Sequence, residues 1–118
     1  MAGKLSTHVL DTTLGKPGAG IKIDLYSLAH GARALIKTTV TNADGRTDAP
    51  LLVDGAMTVG VYELDFHAGD YFRSTGASLP EPAFLEVVTL RFGIADAKAN
   101  YHVPLVCTPW SYSTYRGS

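Results

Sequence analysis

Alternation of apolar and polar residues with a period of two dominates the chain. Ile21, Ile23 and Leu25 alternate with Lys22, Asp24 and Tyr26. Tyr62, Leu64 and Phe66 alternate with Val61, Glu63 and Asp65, and Val88, Leu90, Phe92 and Ile94 with Thr89, Arg91 and Gly93. Successive side chains on a strand point to opposite faces, so each run predicts a strand with one face on a core and the other toward water. The segment from Ala34 to Val40 is rich in strand formers, with Ile36 and Val40 separated by Lys37 and Thr39. Leu5 to Asp11 and His102 to Val106 read as shorter strands, and Trp110 to Tyr115 as a possible last one.

Turn chemistry separates these runs at Gly15-Lys16-Pro17-Gly18, His30-Gly31, Asn42-Ala43-Asp44-Gly45, Asp54-Gly55, Pro80-Glu81-Pro82 and from Ala95 to Asn100. The stretch from His67 to Ser74 predicts one short helix, with Gly76 placed to stop it. About seven short strands with close turns predict an all-β chain, a two-sheet antiparallel sandwich.

The 118 residues fit one domain, 1–118. At that length about two-thirds of the unfolded surface is buried on folding, enough for a core. The chain is 46% hydrophobic and 18% charged, the balance of a globular protein. Ten basic residues stand against eleven acidic ones, so neither nucleic acid nor an anionic membrane is the expected partner, because both need a basic face. Cys107 is the lone cysteine, which excludes an intrachain disulfide and fits a reducing, cytoplasmic compartment. The opening MAGKLSTHVL lacks the apolar core of a signal peptide, and no apolar run approaches the length that spans a bilayer.

A few polar residues stand out from this pattern. His8 shares a strand face with Ser6 and Leu10 by alternation, which fits either a half-exposed strand histidine or a site residue. Arg46 closes a turn, where it would either pair with Asp44 or Asp48 or serve a ligand. His102 lies in the apolar run Tyr101-His102-Val103-Pro104-Leu105, as a hydrogen-bonded core residue or as a catalyst. His30 and His67 flank turns and read as surface residues. No two histidines have the close spacing of zinc ligands, so no metal and no other cofactor is expected. Glycine-rich phosphate loops, GxSxG and HExxH are all absent. Cys107 reads as a packed thiol rather than a nucleophile.

Three motifs, taken together, carry a resemblance. They are Leu5-Ser6-Thr7-His8-Val9-Leu10-Asp11 with Gly15-Lys16-Pro17; Thr41-Asn42-Ala43-Asp44-Gly45-Arg46-Thr47; and Tyr101-His102-Val103-Pro104-Leu105 followed by Pro109-Trp110-Ser111-Tyr112-Ser113-Thr114-Tyr115-Arg116-Gly117-Ser118. Tyr62-Glu63-Leu64 and Gly69-Asp70-Tyr71-Phe72 add to them. The chain resembles the transthyretin-related 5-hydroxyisourate hydrolases over essentially its whole length. The resemblance implies a sandwich of about eight strands with one short helix. It also implies a homotetramer, a dimer of dimers, with reaction sites between the dimers.

The implied substrate is 5-hydroxyisourate, whose ring amide is opened to 2-oxo-4-hydroxy-4-carboxy-5-ureidoimidazoline in urate degradation. The family's functional positions fall on His8, Arg46, His102 and the closing Tyr115-Arg116-Gly117-Ser118. His8 and His102 would form the acid–base pair, because imidazole titrates near neutrality. Arg46 would hold a ring carbonyl or the developing oxyanion. Ser118 would orient a histidine or the water, and Tyr115, Arg116 and Gly117 would hold the substrate. The free terminal residue is expected to line the pocket. The same fold serves as a carrier of a small aromatic ligand, so a non-catalytic binding module is the alternative.

Overall fold

A computed structural model of the chain describes residues 3–29 and 31–118. Of the expected turns, the one at His30-Gly31 has His30 outside the described residues. The strands are β1 Lys4–Ser6, β2 Val9–Asp11, β3 Lys16–Pro17, β4 Lys22–Ser27, β5 Ala34–Val40, β6 Leu52–Val53, β7 Gly60–Phe66, β8 Val88–Ile94, β9 Tyr101–His102, β10 Leu105–Cys107 and β11 Tyr112–Ser113. The helix α1 spans Ala68–Ser74, one residue shorter than the sequence predicts.

One layer is the antiparallel sheet β5-β4-β7-β8. The other is built from β6-β1-β9 and β11-β10-β2-β3. The run from Leu5 to Asp11, expected as one strand, is divided at Thr7-His8, and the run beside it is divided at Val103-Pro104. The two runs still lie side by side, because the Val103 and Leu105 amides donate to the Ser6 and His8 carbonyls at 2.9 Å each. The two-sheet sandwich is the expected one, with one layer antiparallel and the other mixed, since β1 pairs with β9 and β2 with β10 in parallel. These pairs join segments about a hundred residues apart, and no local turn fixes their direction.

The sandwich closes because the inward sets match. Ile23 and Leu25 on β4, Leu64 and Phe66 on β7, and Leu90 and Ile94 on β8 are buried with Leu5, Val9 and Leu105 of the opposite layer. Burying such side chains contributes about 1.5–3 kcal/mol each. The helix ends as its sequence predicts. The Ala77 amide donates to the Phe72 carbonyl, the Gly76 amide to that of Arg73, and Gly76 takes φ +92°, a left-handed stop. Buried Asp11 ties this helix to β2 by accepting the Tyr71 hydroxyl at 2.8 Å, while also accepting the Thr13 and Leu14 amides.

Candidate active site

The site lies on the outward face of the layer that carries β1, β2, β9 and β10. Leu5, Thr7, Val9 and Asp11 are buried, so alternation turns Ser6, His8 and Leu10 away from the core. Ser6 and His102 are direct partners in the β1/β9 register, which puts both side chains on that same face. Their side chains meet, with Ser6 Oγ 2.9 Å from His102 Nδ1.

Arg46 reaches this face through its turn. The Gly45 amide donates to the Asn42 carbonyl at 2.9 Å, and Asn42 Oδ1 accepts the amides of Asp44 and Arg46. Gly45 takes φ +75°, and a Cβ on it would fall 2.4 Å from the Val9 carbonyl oxygen. Glycine is therefore required both for the left-handed turn and for the close approach to β2. With the turn seated, the Val9 amide donates to the Gly45 carbonyl at 2.8 Å, and Arg46 bridges His8 across the gap between β1 and β2. Neither of the turn pairings open to Arg46 forms: Asp48 accepts from the Asn42 amide instead, and Asp44 turns its carbonyl toward His8.

Each histidine has one ring nitrogen committed. His8 Nε2 lies 2.9 Å from the Asp44 carbonyl oxygen, which only accepts, so Nε2 carries a proton and Nδ1 is the remaining nitrogen. His102 commits Nδ1 to Ser6, leaving Nε2. Partial burial holds the His102 imidazole below its ordinary pKa, and the Arg46 and His8 charges push in the same direction. A neutral ring with a free lone pair is the form a general base needs. Among the described residues, no carboxylate forms an ion pair with His8, Arg46 or His102.

The closing segment packs against His102. Tyr112 and Ser113 pair with Cys107 and Val106, and Gly117 bridges His102 in the same antiparallel register. Pro104 lies in the unpaired stretch between, where it has no amide to give to a neighbouring strand. The Gly117 amide donates to the His102 carbonyl at 2.7 Å, and the His102 amide to that of Gly117 at 3.2 Å. A Cβ at Gly117 would stand 3.0 Å from His102 Cβ and 3.3 Å from Cδ2, so the backbone lies directly against the imidazole.

The rest of the tetrapeptide is placed differently. Arg116 stacks its guanidinium 4.5 Å from the Tyr101 ring centroid and donates to the Asn100 carbonyl. Tyr101 precedes His102 on β9 and is buried, so Arg116 is turned to the opposite side from the histidines. Tyr115 is 62% exposed and Ser118 is also exposed. A cavity of about 400 Å³ is lined by Arg91, Phe92, Tyr101, Tyr112, Tyr115 and Arg116 among others. Neither histidine nor Arg46 lines it, so it lies apart from the acid–base groups.

Ser6 and the Asp44 carbonyl were not singled out in the sequence. Alternation puts Ser6 on the face of His8, but its contact with His102 depends on the register of two distant strands. His67, expected as a surface turn residue, instead sets Nε2 2.9 Å from Asp24 Oδ2. Cys107 is buried, and burial together with nearby Asp11 pushes its thiol up to about 12, as fits a packed thiol. Among the described residues, no cluster of three or more His, Cys, Asp or Glu side chains has the arrangement of a metal site.

Two stacked sheets with a histidine pair and an arginine on one outward face define a transthyretin-like sandwich equipped for polar chemistry. The family model described as the HIUase/Transthyretin family matches residues 5–117, and the chain belongs to that family. It is 63% identical to 5-hydroxyisourate hydrolase 2 of Rhizobium meliloti (strain 1021), covering 99% of this chain and 98% of that protein. Among solved structures, (S)-allantoin synthase superposes with a TM-score of 0.94 at 45% identity, over 99% of this chain and 44% of that one. Sea bream transthyretin in complex with thyroxine superposes with a TM-score of 0.86 at 26% identity, over 97% of this chain and 94% of that one.

Proposed function

We propose that this chain, one domain over residues 1–118, is a hydrolase that opens a ring amide of 5-hydroxyisourate in urate degradation. The observation that carries the mechanism is the meeting of His8, Arg46 and His102 on one sheet face with no carboxylate partner among the described residues. The relationship to 5-hydroxyisourate hydrolase 2 supports the substrate. Water adds to the ring carbonyl as an imidazole takes its proton. The carbonyl oxygen becomes an oxyanion facing the Arg46 guanidinium. The C–N bond then breaks, and the nitrogen leaves with a proton returned by an imidazolium. His102 Nε2 is the favoured base, since burial and the nearby Arg46 and His8 charges favour the neutral form of its ring. His8 serves as its acid–base partner and as a substrate contact.

Gly117 forms the wall behind His102. Tyr115 and Ser118 are exposed in the single chain and take the roles of substrate and water contacts once the site is closed. The stacking of Arg116 on Tyr101 supports a role in holding the terminal segment in place. The site face is open in the single chain, whereas a hydrolytic site needs walls that control water. This supports assembly as a homotetramer, a dimer of dimers, in which another copy closes the site. Among the described residues, no helix is long and apolar enough to cross a membrane. We place the enzyme in the cytoplasm, where a lone buried thiol stays reduced.

The test is spectroscopic. 5-Hydroxyisourate is generated from urate with urate oxidase, and its ultraviolet decay is followed with and without the protein. Accelerated decay is expected. Unchanged decay with saturable ligand binding would favour a carrier and overturn the hydrolase.

A further inference from the structure

The geometry points to Ser6 as a positioning residue for the reaction: its Oγ stands 2.9 Å from His102 Nδ1, and as acceptor of the Nδ1 proton it leaves Nε2 as the nitrogen that exchanges protons with the substrate. The inference rests on the reading of His102 as an acid–base group. Nε2 acts as a base only when Nδ1 keeps its proton, and it acts as an acid only from the imidazolium, where Nδ1 is again protonated. Both directions of transfer therefore need an acceptor at Nδ1. Ser6 is set there by strand register, since Leu5 and Ser6 pair with Tyr101 and His102. The adjoining Val103 amide locks that register by donating to the Ser6 carbonyl.

The choice of a hydroxyl has a chemical consequence. A carboxylate at this position would stabilise the imidazolium and raise its pKa. A neutral oxygen holds the same tautomer without adding a negative charge, so the influence of Arg46 and His8 on the ring is not cancelled. The groups facing the ring are Ser6 from β1, His8 and Arg46 from the bridged segments, and the Gly117 backbone from the closing segment. The His8 and Arg46 charges both disfavour protonation of the ring, and the uncharged serine leaves that influence in place while it holds Nδ1.

The test compares Ser6→Ala and Ser6→Thr with the natural chain. Long-range 1H–15N spectra of the His102 ring read the tautomer directly, and steady-state kinetics read kcat and KM separately. In the natural chain, His102 is expected in the Nδ1–H form. Ser6→Ala is expected to shift it toward Nε2–H and to lower kcat about tenfold with little change in KM, the scale of one lost hydrogen bond. Ser6→Thr, which keeps the hydroxyl, is expected to restore both. A His102 ring already in the Nε2–H form, or one whose tautomer is unmoved by Ser6→Ala, overturns the inference even if kcat falls. If the natural chain fails to hydrolyse 5-hydroxyisourate, the proposed function falls, while the ring spectra still decide whether Ser6 sets the tautomer.

Discussion

Both sheets carry histidine and arginine on their outward faces, but they surround them differently. Over β4, β7 and β8, Arg33, Arg91 and His67 are each answered by an acid. Arg33 contacts Glu63 at 2.8 Å and Asp65 at 2.6 Å, Arg91 contacts Glu63 at 2.8 Å, and His67 contacts Asp24 at 2.9 Å. Hydroxyls complete the set, with Thr38 donating to Asp24 and Thr89 to Asp65. Burial alone would raise Asp24, but the hydrogen bonds from Thr38 and His67 hold its carboxyl below the ordinary value. On the opposite layer, His8 and His102 meet only neutral oxygens, and Arg46 has no ion-pair partner among the described residues. The paired face holds structure, and the unpaired one keeps its donors and lone pairs for a substrate. A histidine's partner, more than its exposure, separates the two roles.

His102→Ala breaks the unpaired face most severely. A loss of about two to four powers of ten in kcat/KM is expected, the range for a positioned acid–base group. The folded structure should persist by circular dichroism, because His102 joins the closing segment through its backbone. A fully active variant would return His102 to the role of a core residue.

Arg46→Met is expected to lower kcat by about two to three powers of ten, as for a lost oxyanion donor. It also carries a pH signature. The Arg46 charge disfavours the imidazolium, so its removal raises the pKa of His102. In the natural chain, the acid limb of the kcat/KM profile is expected below about 6.5, the ordinary imidazole value. In the variant the limb moves to higher pH. A limb that moves the other way would contradict the proposed proximity of the two groups.

Gly117→Ala tests the contact behind the imidazole. The new Cβ must displace His102 or the closing segment by a few tenths of an ångström. A loss of roughly tenfold in kcat is expected, because small errors in placing a reacting group are costly. Unimpaired turnover would show that this wall adapts.

Glu63→Gln probes the other face and should leave the chemistry alone. It removes the charge shared by Arg33 and Arg91, both partly exposed, so the loss of stability is about 1–2 kcal/mol. Chemical denaturation reads that change, and kcat/KM measured below the transition should be unaltered. A matching fall in activity would break the separation between the faces.

Much of this was legible in the alternation of residues. β4, β7 and β8 and the helix stop at Gly76 follow from local patterns, since each depends on a few neighbouring residues. The same alternation misjudges the polar side of β4 and β7, where Asp24, Glu63 and Asp65 are buried. Arginines and a histidine from other segments cover them, and such cover leaves no mark on the local pattern. The division of the first run at Thr7-His8 was hidden for the same reason, because it accompanies the bridge of His8 to Arg46.

By itself, the sequence determined the strands β4, β5, β7 and β8, the inward residues of β4, β7 and β8, and the family's candidate residues His8, Arg46 and His102, whereas β3 falls within an expected turn and β6 outside every expected strand. Hydrophobic period and turn chemistry are encoded within a few residues, and motifs are literal. Tertiary structure alone decided that β1 runs parallel to β9, that Ser6 faces His102 and that Arg116 turns toward Tyr101. The first two contacts join the two ends of the chain and the third folds its closing segment back on β9; their geometry is fixed by strand register and core packing, which no local stretch of sequence specifies.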